Sequence, residues 1–418
     1  MLTYIKKIIN YCLLVPVRVF YRFYFYYKDV KNFISTVFFE EVLSDKIIEN
    51  SIGDKFCVLL LYQKYDIQSN ILNLLRVLKE KNINVLIVSN LKINKDNARL
   101  LEPYSYRIIE RKNYGRDFGG YRCGILKVLN DNKPKRLIIL NDSIFYQTRG
   151  LDNFVAEMSE NIDEEFIAAT ENFEFDHHGG SFALSFGKNL INDKRFVSYW
   201  RNYRNSEFRP KVIKKGELGL SSLIINKIGI KPYIIYNIKS LQISMKSAAF
   251  NEINTSVKSM PSSFYTNPNK ELYVENLLNN KISKSIFIEN FFNSQNEDSN
   301  DSFIKNEIMK NEGLDNKSIL DLISLDTKNA MIEKITGFGF KGSQIHLLGY
   351  VFSQYLRCPI VKNDLVVRLV YRPEELLCFK NMMTDSEYEE FMFIQVSRGN
   401  PLIHWKGKKK LLMLLGHI

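Results

Sequence analysis

From residue 55 onward, short apolar runs alternate with segments in which apolar residues recur at helical spacing. Residues 56–62 and 85–88 are continuous apolar runs, and residues 71–78 between them repeat apolar side chains at helical spacing. Two further runs follow at residues 106–109 and 137–140. Strands that alternate with helices form a parallel sheet with covered faces, which predicts an α/β fold. Ligands of such sheets bind at the carboxyl ends of the strands.

The same patterns divide the chain into four parts. Later strands are predicted over residues 166–169, 181–186 and 233–236, and helices over residues 188–203, with Trp200 on the buried side, and 218–228. Asn, Ser, Lys and Asp then dominate a polar stretch, and apolar periodicity resumes in a mainly helical C-terminal region. The predicted parts are an N-terminal segment, a sheet domain, a linker-like region and a C-terminal domain, at residues 1–50, 51–250, 251–330 and 331–418.

The N-terminal segment combines aromatic and basic side chains. It has no uninterrupted apolar stretch near the ~20 residues of a membrane-spanning helix, and it lacks the small-residue cleavage site of a signal peptide. Rings beside cations are typical of a segment that lies on anionic lipid, which predicts a peripheral membrane contact. A core helix with snorkelling arginines is the alternative.

The net charge indicates which classes of partner the protein could bind, and the cysteines indicate its redox environment. The chain has 58 Lys and Arg against 46 Asp and Glu, a net charge of +12, which favours acidic partners such as nucleic acid, anionic lipid or a phosphorylated ligand. Neither an RNA-binding aromatic signature nor a helix with basic residues on one face is present, so nucleic acid ranks last. The 5 cysteines are scattered and never spaced as CxxC, which favours a reducing cytoplasm over a disulfide framework or a zinc site.

A glycine-rich segment follows the third predicted strand. Gly115 and Gly119 permit turns and a close approach of main-chain N–H groups to a ligand. Arg116 and Arg122 offer planar donors for phosphate, and Asp117 could cap the next helix or bind a sugar hydroxyl. A tight turn with a capped helix is the alternative, but it leaves two arginines on one short loop unexplained.

The fourth predicted strand ends abruptly in Asn141, Asp142 and Ser143. This placement aims Asp142 into the crevice above the sheet, where it could hold a divalent cation on a diphosphate, since Mg²⁺ binds one or two carboxylates plus phosphate oxygens. A turn in which Asp142 bonds its own backbone is the alternative.

Two more polar clusters come later in the chain. Glu174, Asp176, His177 and His178 lie beside a predicted strand and could bind a metal or an acceptor sugar, and an exposed loop explains them equally well. Glu217 is predicted at a helix start, where the helix dipole stabilises its ionised form. It could take a proton from an acceptor hydroxyl as general base, or it is merely a good first-turn residue.

In this order, three of these clusters resemble the motifs of the rhamnan synthesis protein F family of bacterial polysaccharide glycosyltransferases. The family patterns Asn-x-Gly-x-Asp-phi-Gly, Asn-Asp-Ser and Glu-x-Gly-Leu-Ser are similar to residues 113–119, 141–143 and 217–221. The similarity spans roughly residues 55–240, and residues 387–418 resemble the C-terminal end of the family.

The resemblance implies a GT-A-like fold, in which a Rossmann-type half that binds a nucleotide sugar is followed by an acceptor half. Such enzymes commonly carry Asp-x-Asp after the fourth strand and Glu-Asp before a helix. Here Asn141 takes the place of one carboxylate, and Glu217 stands without a second acid. The expected cofactor is Mg²⁺ or Mn²⁺ at Asp142.

The resemblance also implies a role for each site residue. Tyr62 and Asn90 would border the base and ribose, and Asp142 would hold the diphosphate directly or through the metal. Glu217 would deprotonate the acceptor hydroxyl in an inverting transfer. The donor diphosphate or sugar would be held by Asn113, Arg116 and Asp117.

Two classes of function follow. The first is a glycosyltransferase that moves rhamnose from a nucleotide diphosphate sugar to a lipid-linked or growing surface polysaccharide of O-antigen, capsule or rhamnan type, at the inner face of the bacterial membrane. The second is a non-catalytic glycan- or partner-binding protein on a GT-A-like scaffold, since the full acidic motifs are absent.

Overall fold

The computed structural model describes residues 15–17, 19–31, 33–34, 41–51, 53–173, 176–261, 264, 328–399, 404 and 406–407. Within these ranges the predicted α/β class is confirmed: a mostly parallel sheet is flanked by helices, and the C-terminal region is mainly helical. Glu174, most of the predicted linker-like region and most of the chain after residue 399 lie outside the described residues.

Four parallel strands form the centre of an eight-stranded sheet. They are β2 (Lys55–Leu61), β3 (Asn84–Ser89), β4 (Arg107–Arg111) and β5 (Arg136–Asn141), and they lie in the order β4-β3-β2-β5. Their continuous apolar runs are buried on both faces, as parallel strands require. From β2 the chain continues to β3 and β4 on one side of β2, and it then crosses to β5 on the other side of β2. The strand order therefore reverses between β2 and β5. Their carboxyl ends are therefore where a ligand is expected.

Other strands extend both sides of this centre. β1 (Val42–Ile47) pairs antiparallel with β4 at one edge, and β10 (Ala183–Gly187) pairs antiparallel with β5. β7 (Phe166–Ala168) and β11 (Tyr233–Ile234) complete the sheet. β1 was placed in the N-terminal segment by the sequence, because five of its six residues are exposed and it lacks an apolar face.

Two small sheets accompany the large one. β6 (Ile144–Tyr146) follows β5 directly and pairs with β12 (Ile360–Lys362) of the C-terminal region. β8 (Glu171–Asn172) pairs with β9 (His178–Gly179).

The helices of the sheet region cover its faces and edges. The segment over residues 188–203, predicted as one helix, is two, because Asp193 ends the first and caps the second by accepting a hydrogen bond from Arg195 N at 2.7 Å. The helices are α1 (residues 19–31), α2 (Ser69–Glu80), α3 (Lys95–Leu101), α4 (Arg116–Asp131), α5 (Leu151–Glu160), α6 (Lys188–Asn192), α7 (Lys194–Asn202), α8 (Arg209–Val212), α9 (Leu218–Ser222), α10 (Ile238–Ser247) and α11 (Phe250–Lys258).

Helix α4 lies unusually close to the sheet because glycines face the strands. A Cβ atom on Gly120 would lie 2.2 Å from Leu60 Cδ1, and one on Gly124 would lie 2.4 Å from Val58 Cγ1. The glycines thus place the N-terminus of α4, with Arg116 and Asp117, directly beside the carboxyl ends of β2 and β5.

Residues 209–228 form one continuous helical segment in which α8 and α9 are joined and followed by π-helical turns, Ile213–Glu217 and Leu223–Ile228. The prediction that Glu217 lies at a helix start is therefore wrong, because the segment begins at Arg209. The register change frees carbonyl groups, and Tyr199 Oη donates to Lys215 O at 2.8 Å. π-turns often occur at functional sites.

The C-terminal region shares one hydrophobic core with the sheet, to which Phe352, Val361 and Phe391 contribute buried side chains. β12 adds to β6, and Glu390 accepts hydrogen bonds from the first backbone N–H groups of α2. Its elements are α12 (residues 328–338), α13 (Gln344–Leu347), α14 (Gly349–Leu356) and α15 (Asp385–Ser397), with 3₁₀ turns at Gly339–Lys341 and Pro373–Met382.

One face of helix α1 packs against residues 206–208. Phe25 packs against Phe208, with ring centroids 5.4 Å apart, and the buried Asp29 accepts hydrogen bonds from Ser206 Oγ at 2.6 Å and Glu207 N at 3.0 Å. In the part of the chain that the structure describes, no helix has the length and apolarity to cross a bilayer.

Candidate functional site

The turn after β5 is held rigidly at the carboxyl edge of the sheet. Asn141 Oδ1 accepts from Ser143 N at 3.1 Å and from Ser143 Oγ at 2.6 Å. Asp142 N donates to Leu60 O at 3.2 Å, and Asp142 Oδ2 accepts from Tyr62 N at 2.6 Å. These bonds tie the ends of β2 and β5 together and fix the Asp142 carboxyl between them. Burial raises the pKa of Asp142 to about 7, and the neighbouring charge of Asp117 adds to the rise.

Asp117, in the first turn of α4, lies beside this turn. Asn141 Nδ2 donates to Asp117 Oδ2 at 3.2 Å, so the amide bridges the two motifs. An aspartate at position 141 would instead place a carboxylate against Asp117, which explains physically why an amide occupies this position. Burial of the carboxyl group raises the pKa of Asp117, although the residue as a whole is exposed. The negative charge of Glu217 adds to this rise, and the positive charge of Lys362 opposes it.

Glu217 faces the same site from the π-helical turn. Gly216, next to it, packs so tightly on the Phe118 ring that a Cβ atom would lie 2.7 Å from Cδ2. The Glu217 side chain is 32% exposed, and its Oε2 lies 4.0 Å from Nε2 of the buried His178. His178 Nδ1 lies 2.7 Å from Asp176 O, which makes Nδ1 the donor and leaves Nε2 facing Glu217. The structure therefore brings two sequence-predicted residues, His178 and Glu217, together.

The sequence missed the cation at the centre of the site, Lys362. It is the last residue of β12, and its Nζ lies 3.2 Å from Ser143 Oγ and 4.3 Å from the centre of the Phe182 ring. Gln395 Nε2 donates to Lys362 O at 2.5 Å and secures the backbone. Burial lowers the pKa of Lys362, while the carboxylates of Asp364, Glu217 and Asp117 oppose that shift. Only a strand pairing with residues 144–146, some 220 positions earlier, places this side chain.

Three arginines add positive charge to this part of the molecule: Arg368 acts as a like charge on Lys362 and on Arg209, and Arg116 acts as a like charge on Arg209. Burial lowers the pKa of Arg209, and the positive charges of Arg368 and Arg116 lower it further, so these guanidinium groups lie within electrostatic range of one another. Arg368 forms an ion pair with Asp364, and Arg116 Nε donates to Glu207 O at 3.1 Å. We call Arg116, Arg209, Lys362 and Arg368 the cationic cluster.

The hydrogen-bonded pair His346 and Asp364 holds Arg368 of the cationic cluster in place. His346 Nε2 donates to Asp364 Oδ1 at 3.0 Å, and Nδ1 accepts from Ser343 Oγ at 2.9 Å. Burial lowers the pKa of His346 to about 4, so the ring is neutral at pH 7. Burial acts to raise the pKa of Asp364. The hydrogen bond from His346 and the positive charge of Arg368 outweigh this effect and hold the pKa of Asp364 well below its ordinary value.

A cavity of about 240 Å³ lies at the ends of β2 and β3. Its walls include Gln63, Ser89 and Asn97, and Gln63 Nε2 is a buried donor without a hydrogen-bond partner. Tyr62 lies next to this wall with 39% of its surface exposed. Asn90 is buried, and its Oδ1 accepts from Arg111 Nη1 at 2.7 Å, which engages the side chain in the scaffold.

Other predicted residues have structural contacts of their own. Arg122 Nε donates to Trp200 O at 3.1 Å, at the end of α7, and we leave it out of the proposed site. His177 pairs with Glu171 at 2.8 Å and stacks on Phe173. Gly115 and Gly119 are required sterically: Gly115 has φ +88°, and a Cβ atom on Gly119 would lie 2.3 Å from Tyr114 O. Asn113 is exposed on the loop before α4.

The donor set fits a divalent cation poorly. Asp142 Oδ2 is bound to the Tyr62 N–H group, the raised pKa keeps part of the Asp142 carboxyl protonated at pH 7, and the Lys362 ammonium occupies the same turn. Among the described residues, no three His, Cys, Asp or Glu side chains gather as a metal site. Bound Mg²⁺ or Mn²⁺ stays a prediction.

A larger, shallow depression of about 760 Å³ lies between α7 and the second π-helical turn. Lys194, Tyr199 and Lys227 are among its lining residues, and none of the predicted site residues lines it. Carboxylates, an amide and cations meet instead at the sheet edge, so we place the site there.

The geometry defines an α/β domain with a mostly parallel sheet. Acidic and basic side chains lie together at the carboxyl ends of its central strands. The family model described as rhamnan synthesis protein F matches residues 85–259. This range contains all three motifs, so the resemblance inferred from them is confirmed. The match covers less than half of the 418-residue chain.

Among curated proteins, an uncharacterized protein of Sinorhizobium fredii is 34% identical over 168 residues, which are 39% of this chain and 44% of that protein. The chain thus spans less than half the length of this relative.

Two solved structures are also similar in part. The glycosyltransferase GlyE of Streptococcus pneumoniae matches with 12% identity and a TM-score of 0.26, over 44% of this chain and 45% of that one. A protein described as a nucleotide-diphospho-sugar transferase, from Desulfovibrio desulfuricans, matches with 12% identity and a TM-score of 0.23, over 42% of this chain and 96% of that one. We draw no residue correspondence from either.

Proposed function

We propose that this protein is a glycosyltransferase that moves a sugar, rhamnose by family likeness, from a nucleoside diphosphate donor to a surface-polysaccharide acceptor. The observation that carries the proposal is the convergence of the three family motifs. Asn141 bridges to Asp117 at 3.2 Å, and Gly216, next to Glu217, packs so closely on the ring of Phe118, next to Asp117, that a Cβ atom would lie 2.7 Å from it. Acids and cations around one crevice suit a sugar diphosphate.

In this proposal the nucleoside occupies the cavity at the ends of β2 and β3, where Gln63 offers a free donor. The diphosphate extends past Tyr62 toward the turn after β5 and the start of α4. Asp117 and Asp142 contact the donor, and the Asn141 amide holds Asp117 in place.

The transfer step uses Glu217 as general base. Its carboxylate accepts the proton of an acceptor hydroxyl while that oxygen forms a bond to the anomeric carbon. The bond between the anomeric carbon and the diphosphate oxygen breaks, and the nucleoside diphosphate leaves with the electron pair. His178 lies 4.0 Å from the Glu217 carboxylate, on the wall of the same site. Attack opposite the leaving group inverts the anomeric configuration.

The test is a panel of nucleotide diphosphate sugars, including dTDP-rhamnose, assayed by thermal shift and by release of nucleoside diphosphate. A bound donor raises stability by RT ln(1 + [L]/Kd). We expect one donor to bind and turn over, and Asp142→Ala and Glu217→Ala to lose turnover while retaining the fold. Unchanged turnover in either variant removes that residue from the mechanism.

The alternative is a non-catalytic protein that binds a sugar nucleotide or glycan. The observation in its favour is Asn141, which removes one carboxylate of the Asp-x-Asp pair. Donor binding without release of nucleoside diphosphate, in the presence of polysaccharide or lipid-linked acceptor, would support this alternative.

We also propose that α1 contacts the membrane where the acceptor is anchored. Its outer face exposes Phe20, Phe23 and Tyr26, with 65%, 69% and 66% of their surfaces accessible, and Arg22 and Lys31 are exposed beside them. Such rings and cations suit an anionic lipid surface. The helix is anchored to residues 206–211, which carry Arg209 of the site. The exposed rings and cations, together with the attachment of α1 beside Arg209, support a membrane contact close to the site.

Vesicle sedimentation tests this contact. The wild type should sediment with phosphatidylglycerol vesicles more than with phosphatidylcholine vesicles, and Phe20→Ser with Phe23→Ser should weaken both. Equal sedimentation of wild type and double variant would refute the contact.

A further inference from the structure

The cationic cluster brings four positive side chains to the site, and one of them, Arg368, is paired with Asp364. Within the cationic cluster, Arg368 and Arg116 act as like charges on Arg209, and Arg368 does so on Lys362. Like charges held together in a partly buried place destabilise one another unless an anion lies between them. The surrounding fold nevertheless fixes these side chains, through the Asp364–Arg368 ion pair and the Arg116 bond to Glu207 O.

Lys362 brings this charge to the motif turn itself. Its ammonium is 3.2 Å from Ser143 Oγ and is steadied by the Phe182 ring at 4.3 Å. β12 is fixed on β6, and Asn363 holds the turn by donating from N to Ser143 O at 3.1 Å and from Nδ2 to Asp142 O at 3.0 Å. The C-terminal region thus places a positive charge where a bound divalent cation was expected.

We propose that the cationic cluster, with Lys362 at its centre, binds the diphosphate of the donor and neutralises the departing nucleoside diphosphate without a divalent metal ion. This inference rests on the proposed function and assigns a binding role to the C-terminal region. Lysine serves as a point charge on phosphate, and arginine offers a planar fork of donors. Fixed positive charges at a developing anion stabilise the transition state.

The experiment titrates UDP, GDP and dTDP, with their monophosphates, into the full-length protein by calorimetry, first in EDTA and then with excess Mg²⁺. In EDTA we expect the wild type to bind one diphosphate more tightly than its monophosphate, and Mg²⁺ to leave that affinity within about twofold. Lys362→Met should weaken diphosphate binding by roughly 10- to 100-fold, the usual effect of losing a charge-assisted hydrogen bond. Binding of the monophosphate should change less.

Three further variants distinguish a lost contact from a lost fold. Lys362→Arg should retain most of the affinity, Arg368→Gln should weaken diphosphate binding in the same direction, and Lys380→Met, at an exposed position of the same region, should bind as the wild type does. Circular dichroism melting checks that each variant is folded.

The outcomes distinguish this inference from the proposed function. Wild-type binding that requires Mg²⁺, or equal affinity of Lys362→Met and wild type, overturns the inference and leaves the proposed function standing. No binding of any diphosphate or sugar diphosphate by the wild type overturns both.

Discussion

Glu390 on α15 caps the N-terminus of α2 from 320 positions away in the chain, and its removal measures how firmly the C-terminal region is attached to the sheet. Its carboxylate oxygens accept from Ser69 N at 2.6 Å and from Asn70 N at 3.1 Å. The residue in the ordinary capping position, Gln68, makes no side-chain cap. The α2 N-terminus therefore depends on Glu390 for a negative charge and for partners to two N–H groups.

The cost of removing it can be worked from these contacts. Loss of an N-cap costs about 0.5–2 kcal/mol, and Asn70, which is buried, would lose a partner that water replaces poorly. We expect Glu390→Ala to lower the free energy of unfolding by about 1–2 kcal/mol. Glu390→Gln retains an acceptor oxygen but loses the interaction with the helix dipole, so it should cost about 0.3–1 kcal/mol.

Urea unfolding followed by circular dichroism measures both variants, with Glu389→Ala as the matched control, since Glu389 is exposed on the same helix turn. The control should stay within about 0.5 kcal/mol of wild type. If Glu390→Ala unfolds at the same urea concentration as Glu389→Ala, the long-range cap does not exist and the docking of α15 on α2 is refuted.

Three further predictions concern packing, pH and the N-terminal helix. Gly124→Ala should destabilise by about 1–3 kcal/mol because its Cβ would lie 2.4 Å from Val58 Cγ1, and Val58→Ala should partly compensate it in a urea double-mutant cycle; simple additivity would contradict the contact. Since burial lowers the pKa of His346 to about 4, the contribution of His346 to stability should be constant above pH 6.5 and fall by up to about 3 kcal/mol between pH 6.5 and 4, as the difference in acid dependence between wild type and His346→Gln; identical acid dependence of the two would refute this. Asp29→Asn should release α1 from the buried Ser206 contact and accelerate tryptic cleavage after Arg22, and unchanged cleavage would mean that Asp29 is not the anchor.

The centre of the fold was predictable because its signal is local. Parallel strands buried on both faces must be apolar along their whole length, and residues 56–62 and 137–140 show this directly. β1 has no such signal, since an edge strand with mostly exposed side chains looks like a loop. The π-helical turns were also missed, because apolar side chains at helical spacing do not distinguish a π-helical turn from an α-helical one.

The site was predictable where side chains follow strand ends and not where distant segments meet. Asp142 and Asp117 were found from their place after a strand and before a helix, and the structure joins them through Asn141. Lys362 was missed because only the pairing of β12 with β6 brings it to the turn. A lone lysine at the end of a short apolar run, residues 359–361, carries no signal by itself.

Photoaffinity labelling with a radiolabelled azido-nucleoside diphosphate, followed by peptide mapping, reports where the nucleotide lies on the protein. The label should fall in residues 62–67 or 89–97 at the ends of β2 and β3 and should disappear under excess unlabelled nucleotide sugar. A protected label in peptides that carry Lys194 or Lys227 would place the nucleotide in the shallow depression beside α7 and refute the proposed site.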